Sequence, residues 1–512
     1  MKKTFFLYYS FLMLLSVSCL PKKEDETVKK PNVIFIYVDD LGYGDLSCYG
    51  ATEVQTPNVD ALAEGGIQFT DAHCTASTCT PSRYSLLTGN YAFRNNATIL
   101  PGDAPLIINP EQETIADMFK KQGYATAVVG KWHLGLGNGS PDWNGVIKPG
   151  PLEIGFDYSF LIPATADRVP TVFVENHKVV NLDPKDPIRV SYDKKIGSDP
   201  TGMEDEVFLK MIADKQHSGT VVNGISRIGY MSGGHSAYWK DEEFPNILIK
   251  KASNFIASNR DKPFFLYFAL PDIHVPRAPN EKFVGKTKMG PRGDAIVQMD
   301  WVTGQIMNKL KELNIEKNTI IVFSSDNGPV LNDGYADQSM VNNGNHKPAG
   351  NFKGGKYSAY EAGTRVPTIM YWPDKIKPVK SNALISQVDF FASFAKLIGA
   401  KIENKETAVD SSDMLNALLG KSQKGRQYLI EEAFTMSIRN GNWKYIAPQA
   451  QPSPSWLADK NVLTGLQETP QLYDLSKDPA EKHNLDQEMP EKTKILAAEL
   501  SKIMGTSAKN FQ

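Results

Sequence analysis

Asn32-Val33-Ile34-Phe35-Ile36-Tyr37-Val38 is an unbroken apolar, β-rich run that ends on Asp39-Asp40-Leu41-Gly42-Tyr43-Gly44-Asp45. Such a run reads as a strand buried on both faces. Two adjacent carboxylates at its C-terminal end are costly unless they are paired or bound to a metal. In isolation they would read as a solvated turn. Position argues otherwise, because open α/β sheets place their sites beyond the C-terminal ends of the strands.

The same pattern recurs along the chain. Ala125-Thr126-Ala127-Val128-Val129 runs into Gly130-Lys131-Trp132-His133-Leu134-Gly135. Phe264-Phe265-Leu266-Tyr267-Phe268-Ala269 runs into Asp272-Ile273-His274-Val275-Pro276, and Thr319-Ile320-Ile321-Val322-Phe323-Ser324 into Asp326-Asn327-Gly328. Four apolar strands that each end in acid, amide, histidine or lysine would be unusual in a purely structural protein. Helical stretches lie between them, from Glu113 to Gln122 and from about Asp294 to Leu313. The alternation predicts an α/β fold, a large and mostly parallel mixed sheet sandwiched by helices.

A second stretch carries the chemistry. In Cys79-Thr80-Pro81-Ser82-Arg83, Pro81 suits the first turn of a helix, where its missing N–H costs nothing. Arg83 to Thr88 then reads as helix and Gly89-Asn90 as its stop. Cys79 would stand at a helix N-terminus, which favours an anion, with the Arg83 guanidinium one turn on. A plain buried thiol is the alternative for any single cysteine.

The run resembles the signature of the type I, formylglycine-dependent sulfatases of the alkaline phosphatase superfamily, Cys-x-Pro-x-Arg with a Leu-Thr-Gly tail. The resemblance extends from Asn32 to about Leu485. Lys353-Gly354-Gly355-Lys356 through Glu361-Ala362-Gly363 to Arg365-Val366-Pro367 resembles a further family segment, with Ala362 where a glycine is usual. Trp443-Lys444-Tyr445 and Leu472-Tyr473-Asp474-Leu475 look like the family's small C-terminal subdomain, an antiparallel sheet with a helix. The implied organisation is a catalytic domain over 31–387 and a C-terminal subdomain over 388–512. The match is weakest from Asn138 to Glu243, and loops on a rigid scaffold usually carry specificity.

The resemblance implies that Cys79 is oxidised to formylglycine (3-oxoalanine). A serine that attacked a sulfate ester would be left as a stable alkyl sulfate. A hydrated aldehyde has two hydroxyls on one carbon, so one attacks sulfur and deprotonation of the other expels sulfate and restores the aldehyde. Asp39, Asp40, Asp326 and Asn327 offer only oxygen ligands, which suits Ca²⁺, less well Mg²⁺, and argues against zinc. The family places one Ca²⁺ on these residues and on modified Cys79. Arg83, Lys131 and Lys356 would neutralise the sulfate. His133 would be the base that collapses the sulfated intermediate, and His274 with Lys356 would serve the leaving oxygen. His235, Tyr91 and Arg94 are candidate substrate contacts. His73, His177, His217, His346 and His483 read as structural.

Lys2-Lys3 and the apolar run Phe5 to Leu15 form a secretory signal over 1–18, too short to span a bilayer. A small residue before Cys19 resembles a bacterial lipoprotein cleavage box, which makes 19–30 a lipidated tether. A periplasmic or outer-membrane, cell-surface lipoprotein of a Gram-negative bacterium is expected, held to the membrane by that lipid alone. The net charge of −2 gives no ground for nucleic-acid binding. With Cys19 and Cys79 modified, only Cys48 and Cys74 remain; whether they pair is open. The expected activity is hydrolysis of sulfate monoesters on a sulfated polysaccharide or its oligosaccharides, algal or glycosaminoglycan, after action of a formylglycine-generating maturase. The alternatives are a phosphonate monoester or phosphodiester hydrolase of the same superfamily and an inactive lipoprotein that binds sulfated glycan.

Overall fold

The computed structural model describes residue 1 and residues 30–204 and 206–505. The expected signal sequence and lipidated Cys19 lie outside the described residues. Ten strands form the main sheet in the order Val379–Ser381, Ile67–Phe69, Thr368–Tyr371, Thr319–Ser325, Asn32–Val38, Phe264–Ala269, Ala125–Lys131, Tyr158–Ile162, Val174–Glu175 and Lys178–Val179. The five strands from Thr319–Ser325 to Tyr158–Ile162 are parallel, and Thr368–Tyr371 and Val174–Glu175 run against them.

Register sets the position of the acids. Val38 pairs with Ser325 on one side, and Tyr37 pairs with Ala269 on the other. Ala269 in turn pairs with Gly130. Asp39, Asp326 and Lys131 therefore emerge level at one edge of the sheet. Gly130 is required there: its φ is +113°, and a Cβ would lie 1.9 Å from the Ala269 carbonyl oxygen.

The period of two along the central strand divides the core. Val33, Phe35 and Tyr37 face a layer that contains Leu86, Leu87, Phe119 and Phe390. Ile34, Ile36 and Val38 face Leu62, Leu248, Ile256, Met299 and Ile306. Each such side chain contributes roughly 1.5–3 kcal/mol by leaving water. Phe390 meets Phe35 edge-on at 5.1 Å, so the helix Phe390–Ile398 packs on the main sheet.

Tyr428–Glu432, Met436–Asn440, Trp443–Ile446 and Gln471–Asp474 form a separate antiparallel sheet in chain order. Leu496, Leu500 and Met504 of the helix Pro490–Met504 pack against its Ile438 and Leu472. A buried charged seam joins this sheet to the main domain. Arg439 reaches Asp71 at 2.7 Å, Lys444 reaches Glu361 at 3.2 Å, and Arg365 reaches Glu361 at 2.8 Å. Glu361 of the recognised segment thus holds the two parts together, and Arg365 braces it from the main-domain side. Cys48 and Cys74 are both free thiols.

Candidate active site

The Cys79 stretch forms a ten-residue helix, Cys79–Thr88, with every residue buried. Gly89 closes it in the left-handed conformation, its N–H bonded to the Ser85 carbonyl, as the sequence predicts. Cys79 stands at the first position, but its thiol is not an anion. Burial pushes it up to about 12, which the nearby Lys131 and Lys356 ammonium groups only partly offset.

Around Cys79 the four strand ends converge. Arg83 donates through Nε and Nη2 to one oxygen of Asp326, at 2.9 and 2.6 Å. Lys131 Nζ lies 2.5 Å from Asp39 Oδ2. Lys356 Nζ lies 2.9 Å from Asp40 Oδ2 and 2.9 Å from Asp333 Oδ2. Asn327 Nδ2 donates to the other Asp40 oxygen at 2.7 Å. All of these side chains are buried. Arg83 and Lys356 are held firmly charged: burial opposes, and the adjoining carboxylates outweigh it.

The two histidines are poised differently. His133 Nε2 lies 3.0 Å from the Leu100 carbonyl. A carbonyl only accepts, so Nε2 carries the proton and buried, unpartnered Nδ1 presents a lone pair. His274 Nδ1 donates to the Val275 carbonyl at 2.6 Å, and its Nε2 faces Asp40 at 3.8 Å. Burial first, then Lys131 for His133 and Lys356 for His274, hold both imidazoles below the ordinary histidine value. Asp40 and His133 both have positive φ, +60° and +55°, strain that clusters at functional sites.

These groups floor a cavity of about 440 Å³ lined by Cys79, His133, His274 and Lys356. Its walls include residues that sequence reasoning missed: Asp167, Arg168, His217, Asp333, Tyr357 and Trp456. His217 had read as structural. It bonds Asp214 at 2.7 Å and lies 3.3 Å from Asp167. These two carboxylates overcome burial and raise it above the usual histidine value. Their only sequence signal was adjacency in irregular loops.

Three expected substrate contacts do not reach the cavity. His235 is half-exposed and is taken up by Asp186 and Asp199, at 2.7 and 2.8 Å. Arg94 pairs with Asp410 at 2.6 Å. Tyr91 stacks on Phe93 and packs with Val388 and Ile430 of the C-terminal part. The Cys79 helix carries Tyr91 and Arg94 past the site and out on its far side.

A sequence model of the family described as Sulfatase matches residues 31–400. The chain belongs to the sulfatase family. This sulfatase is 51% identical over 486 residues to the N-acetylgalactosamine-6-O-sulfatase of Bacteroides thetaiotaomicron, with 94% of each chain covered. It is 31% identical over 476 residues to human arylsulfatase A, covering 89% of this chain and 83% of that one. A solved Bacteroides thetaiotaomicron structure from work on the metabolism of multiple glycosaminoglycans superposes with a TM-score of 0.91, at 51% identity, over 93% of this chain and 99% of that one. The protein is a sulfuric ester hydrolase that acts on sulfate monoesters.

Sulfatases generally use a formylglycine and a divalent metal ion. The residues here fit such an ion. Ligand atoms of Asp39, Asp40, Cys79 and His274 lie within 4.8 Å of one another. Asp39 Oδ1 and Asn327 Oδ1 are buried acceptors with no hydrogen-bond donor among the described residues, Arg83 Nη2 standing off at 3.9 Å from the first. Orphaned oxygens beside three carboxylates are costly without a cation. Gly328 also matters here, since a Cβ would lie 1.7 Å from the Ala362 carbonyl oxygen. The alanine that replaces the usual glycine at 362 leaves that approach open.

Proposed function

We propose that the sulfatase removes the 6-O-sulfate of N-acetylgalactosamine residues in glycosaminoglycan oligosaccharides. The observation that carries this reading is 51% identity, over 94% of both chains, to an N-acetylgalactosamine-6-O-sulfatase. The complete buried set Cys79, Arg83, Lys131, His133, His274 and Lys356 argues against an inactive glycan-binding protein.

Formylglycine at position 79 supplies, as its hydrate, a nucleophile that can later release sulfate and regenerate the aldehyde. The chain's own groups do the rest. Arg83 and Lys131 hold positive charge against the developing charge on sulfate. His133 Nδ1, with its open lone pair, takes the proton from the second hydroxyl. The Lys356 ammonium, in the cavity lining, donates its proton to the leaving sugar oxygen, with the neutral His274 ring beside it. Arg168, Asp167 and His217 meet the sugar's other hydroxyls, and the Trp456 ring covers one of its faces.

We assign the metal site on Asp39, Asp40, Asp326, Asn327 and residue 79 to Ca²⁺, because the ligand oxygens suit a hard cation. A bound Ca²⁺ acts as a Lewis acid toward the sulfate. Chelation is therefore expected to lower both activity and Tm. Ca²⁺ should restore them more fully than equimolar Mg²⁺, and a hundredfold excess over Kd should add about 2.7 kcal/mol of stability. Thermal unfolding with and without chelator measures this. An unchanged Tm after dialysis against chelator would count against a tightly held ion.

The signal run before Cys19 supports export to the periplasm or the outer membrane of a Gram-negative cell, anchored by lipid at Cys19. Among the described residues, no helix is long and apolar enough to cross a membrane. The substrate reading is tested by free sulfate release from 6-sulfated and 4-sulfated N-acetylgalactosamine oligosaccharides, sulfated algal glycans, and the sulfate and phosphate esters of one alcohol. Protein co-expressed with a maturase should favour the 6-sulfate by at least about 100-fold, the scale of discrimination a site built for one hydroxyl pattern attains. Faster release from a 4-sulfate or an algal glycan would replace this substrate. Faster phosphate release would move the enzyme to phosphoester chemistry.

A further inference from the structure

We propose that Lys460, from the C-terminal part of the chain, is a positioning residue that ties Asp214 to Asp333 and so sets the two cavity walls carrying His217 and Lys356. This rests on the role given to Lys356 above. A lysine is almost never fully buried unless it is paired. The Lys460 side chain is 1% exposed. Its ammonium donates to Asp214 Oδ2 at 3.0 Å and lies 3.8 Å from Asp333 Oδ1.

Each of these acids leads to a different wall. Asp214 accepts from the His217 backbone at 3.0 Å and from its ring at 2.7 Å. His217 continues to Asp167 at 3.3 Å, and Asp167 to Arg168 at 2.8 Å. Asp333 holds the Lys356 ammonium at 2.9 Å and the Tyr357 hydroxyl at 3.2 Å. Lys356 ends the series on Asp40. The result is an alternation of charge around the cavity, with Lys460 as the link between its halves.

The two acids sit on loops pressed together. The Asp214 N–H donates to the Gly334 carbonyl at 2.7 Å, and a Cβ on Gly334 would lie 2.3 Å from His217 Nδ1. Little room is left there for water to stand in for the ammonium. Lys460 also ends the short turn Ser455–Lys460, which places the Trp456 ring in the cavity, edge-on to Tyr357 at 5.2 Å. Without Lys460, Asp333 would hold Lys356 alone and draw it away from Asp40. Asp214 would keep only His217.

Lys460→Met is expected to lower kcat by roughly 10–100-fold, the cost of misplacing a reacting group by an ångström or less. KM should change less. Lys460→Arg, whose fork can span both acids, should recover most of the loss. In an Asp333→Asn background, Lys460→Met should cost less than it does in the wild type, because the limb through Asp333 is already gone and only the Asp214 limb remains. A second reading needs no turnover. In Cys79→Ala protein, the His217 ring is titrated by NMR. The groups facing it are Asp214, Asp167 and Lys460, with the Tyr335 ring packed alongside. Removing the cation should raise the His217 midpoint. Wild-type kcat and an unmoved midpoint in Lys460→Met would overturn the proposal. So would a loss that arginine fails to recover and that adds in full to Asp333→Asn. If the wild type prefers another sulfate ester, the same comparison on that ester tests Lys460 while the 6-sulfate reading fails. If Lys460→Met does not fold, Lys460→Met/Asp214→Asn removes cation and carboxylate together. That pair should fold and still show the kcat loss; full activity in it would overturn the proposal.

Discussion

Cys79→Ala is expected to lower sulfate release by roughly 10⁴–10⁶-fold, the loss seen when a covalent nucleophile is removed. The remaining activity would come from the charges that bind sulfate. The structure also says why the unmodified thiol is a poor substitute. Burial pushes it up to about 12, so almost none is thiolate at neutral pH. Cys79 is buried at a helix start and no bond of its sulfur ties the fold together, so the alanine should cost only about 1 kcal/mol of stability. Kinetics on the glycan, with Tm recorded for both proteins, separate the two effects. A variant that kept more than a hundredth of the wild-type rate would show that residue 79 is not the nucleophile.

Arg83→Met should have the largest effect on stability, a loss of about 3–5 kcal/mol, because it leaves a buried carboxylate without its partner. Arg83 Nε and Nη2 both donate to one oxygen of Asp326, and neither side chain is exposed to solvent. Asp39 and Asp40 lie beside it, so the stranded charge would also be repelled. Burial raises the Asp326 carboxyl, but Arg83 and then Lys131 outweigh this and hold it below its ordinary value. A depressed carboxyl contributes its stability above the unfolded value, near pH 4, and loses it as pH falls through the folded one. The deficit of Arg83→Met should therefore be complete at pH 7 and shrink in acid. Urea unfolding at both pH values measures it. Arg83→Met/Asp326→Leu, with both charges gone, should recover part of the loss although it removes a metal ligand. A single variant as stable as wild type at pH 7 would contradict the pairing.

The strand ends were legible because the residues beyond them break a strong pattern. Asp39-Asp40, Lys131-Trp132-His133, His274 and Asp326-Asn327 each follow an apolar run, and parallel pairing brings them level. Cys79 and Arg83 were legible from one helix signature. The cavity walls were not. Asp167, Arg168 and His217 lie in loops with little periodicity, and their meeting depends on long-range contacts such as Arg168 bridging to Ile228. Asp333 and Lys460 are far apart in sequence and meet only because the C-terminal segment folds back over the site. Tyr91 and Arg94 misled through proximity: a helix of ten residues separates its two ends by about 15 Å. The boundary expected after residue 387 falls just before a helix that still packs on the main sheet, and the second sheet begins at Tyr428. An apolar helix and an apolar strand look alike where no alternation is visible.

The most direct test of the account is the mass of the peptide containing residue 79, taken from active protein matured in its own host type. The account predicts conversion of the thiol to the aldehyde or its hydrate, in a fraction that scales with specific activity across preparations. Protein that releases sulfate at full rate while residue 79 remains an unmodified cysteine would contradict it.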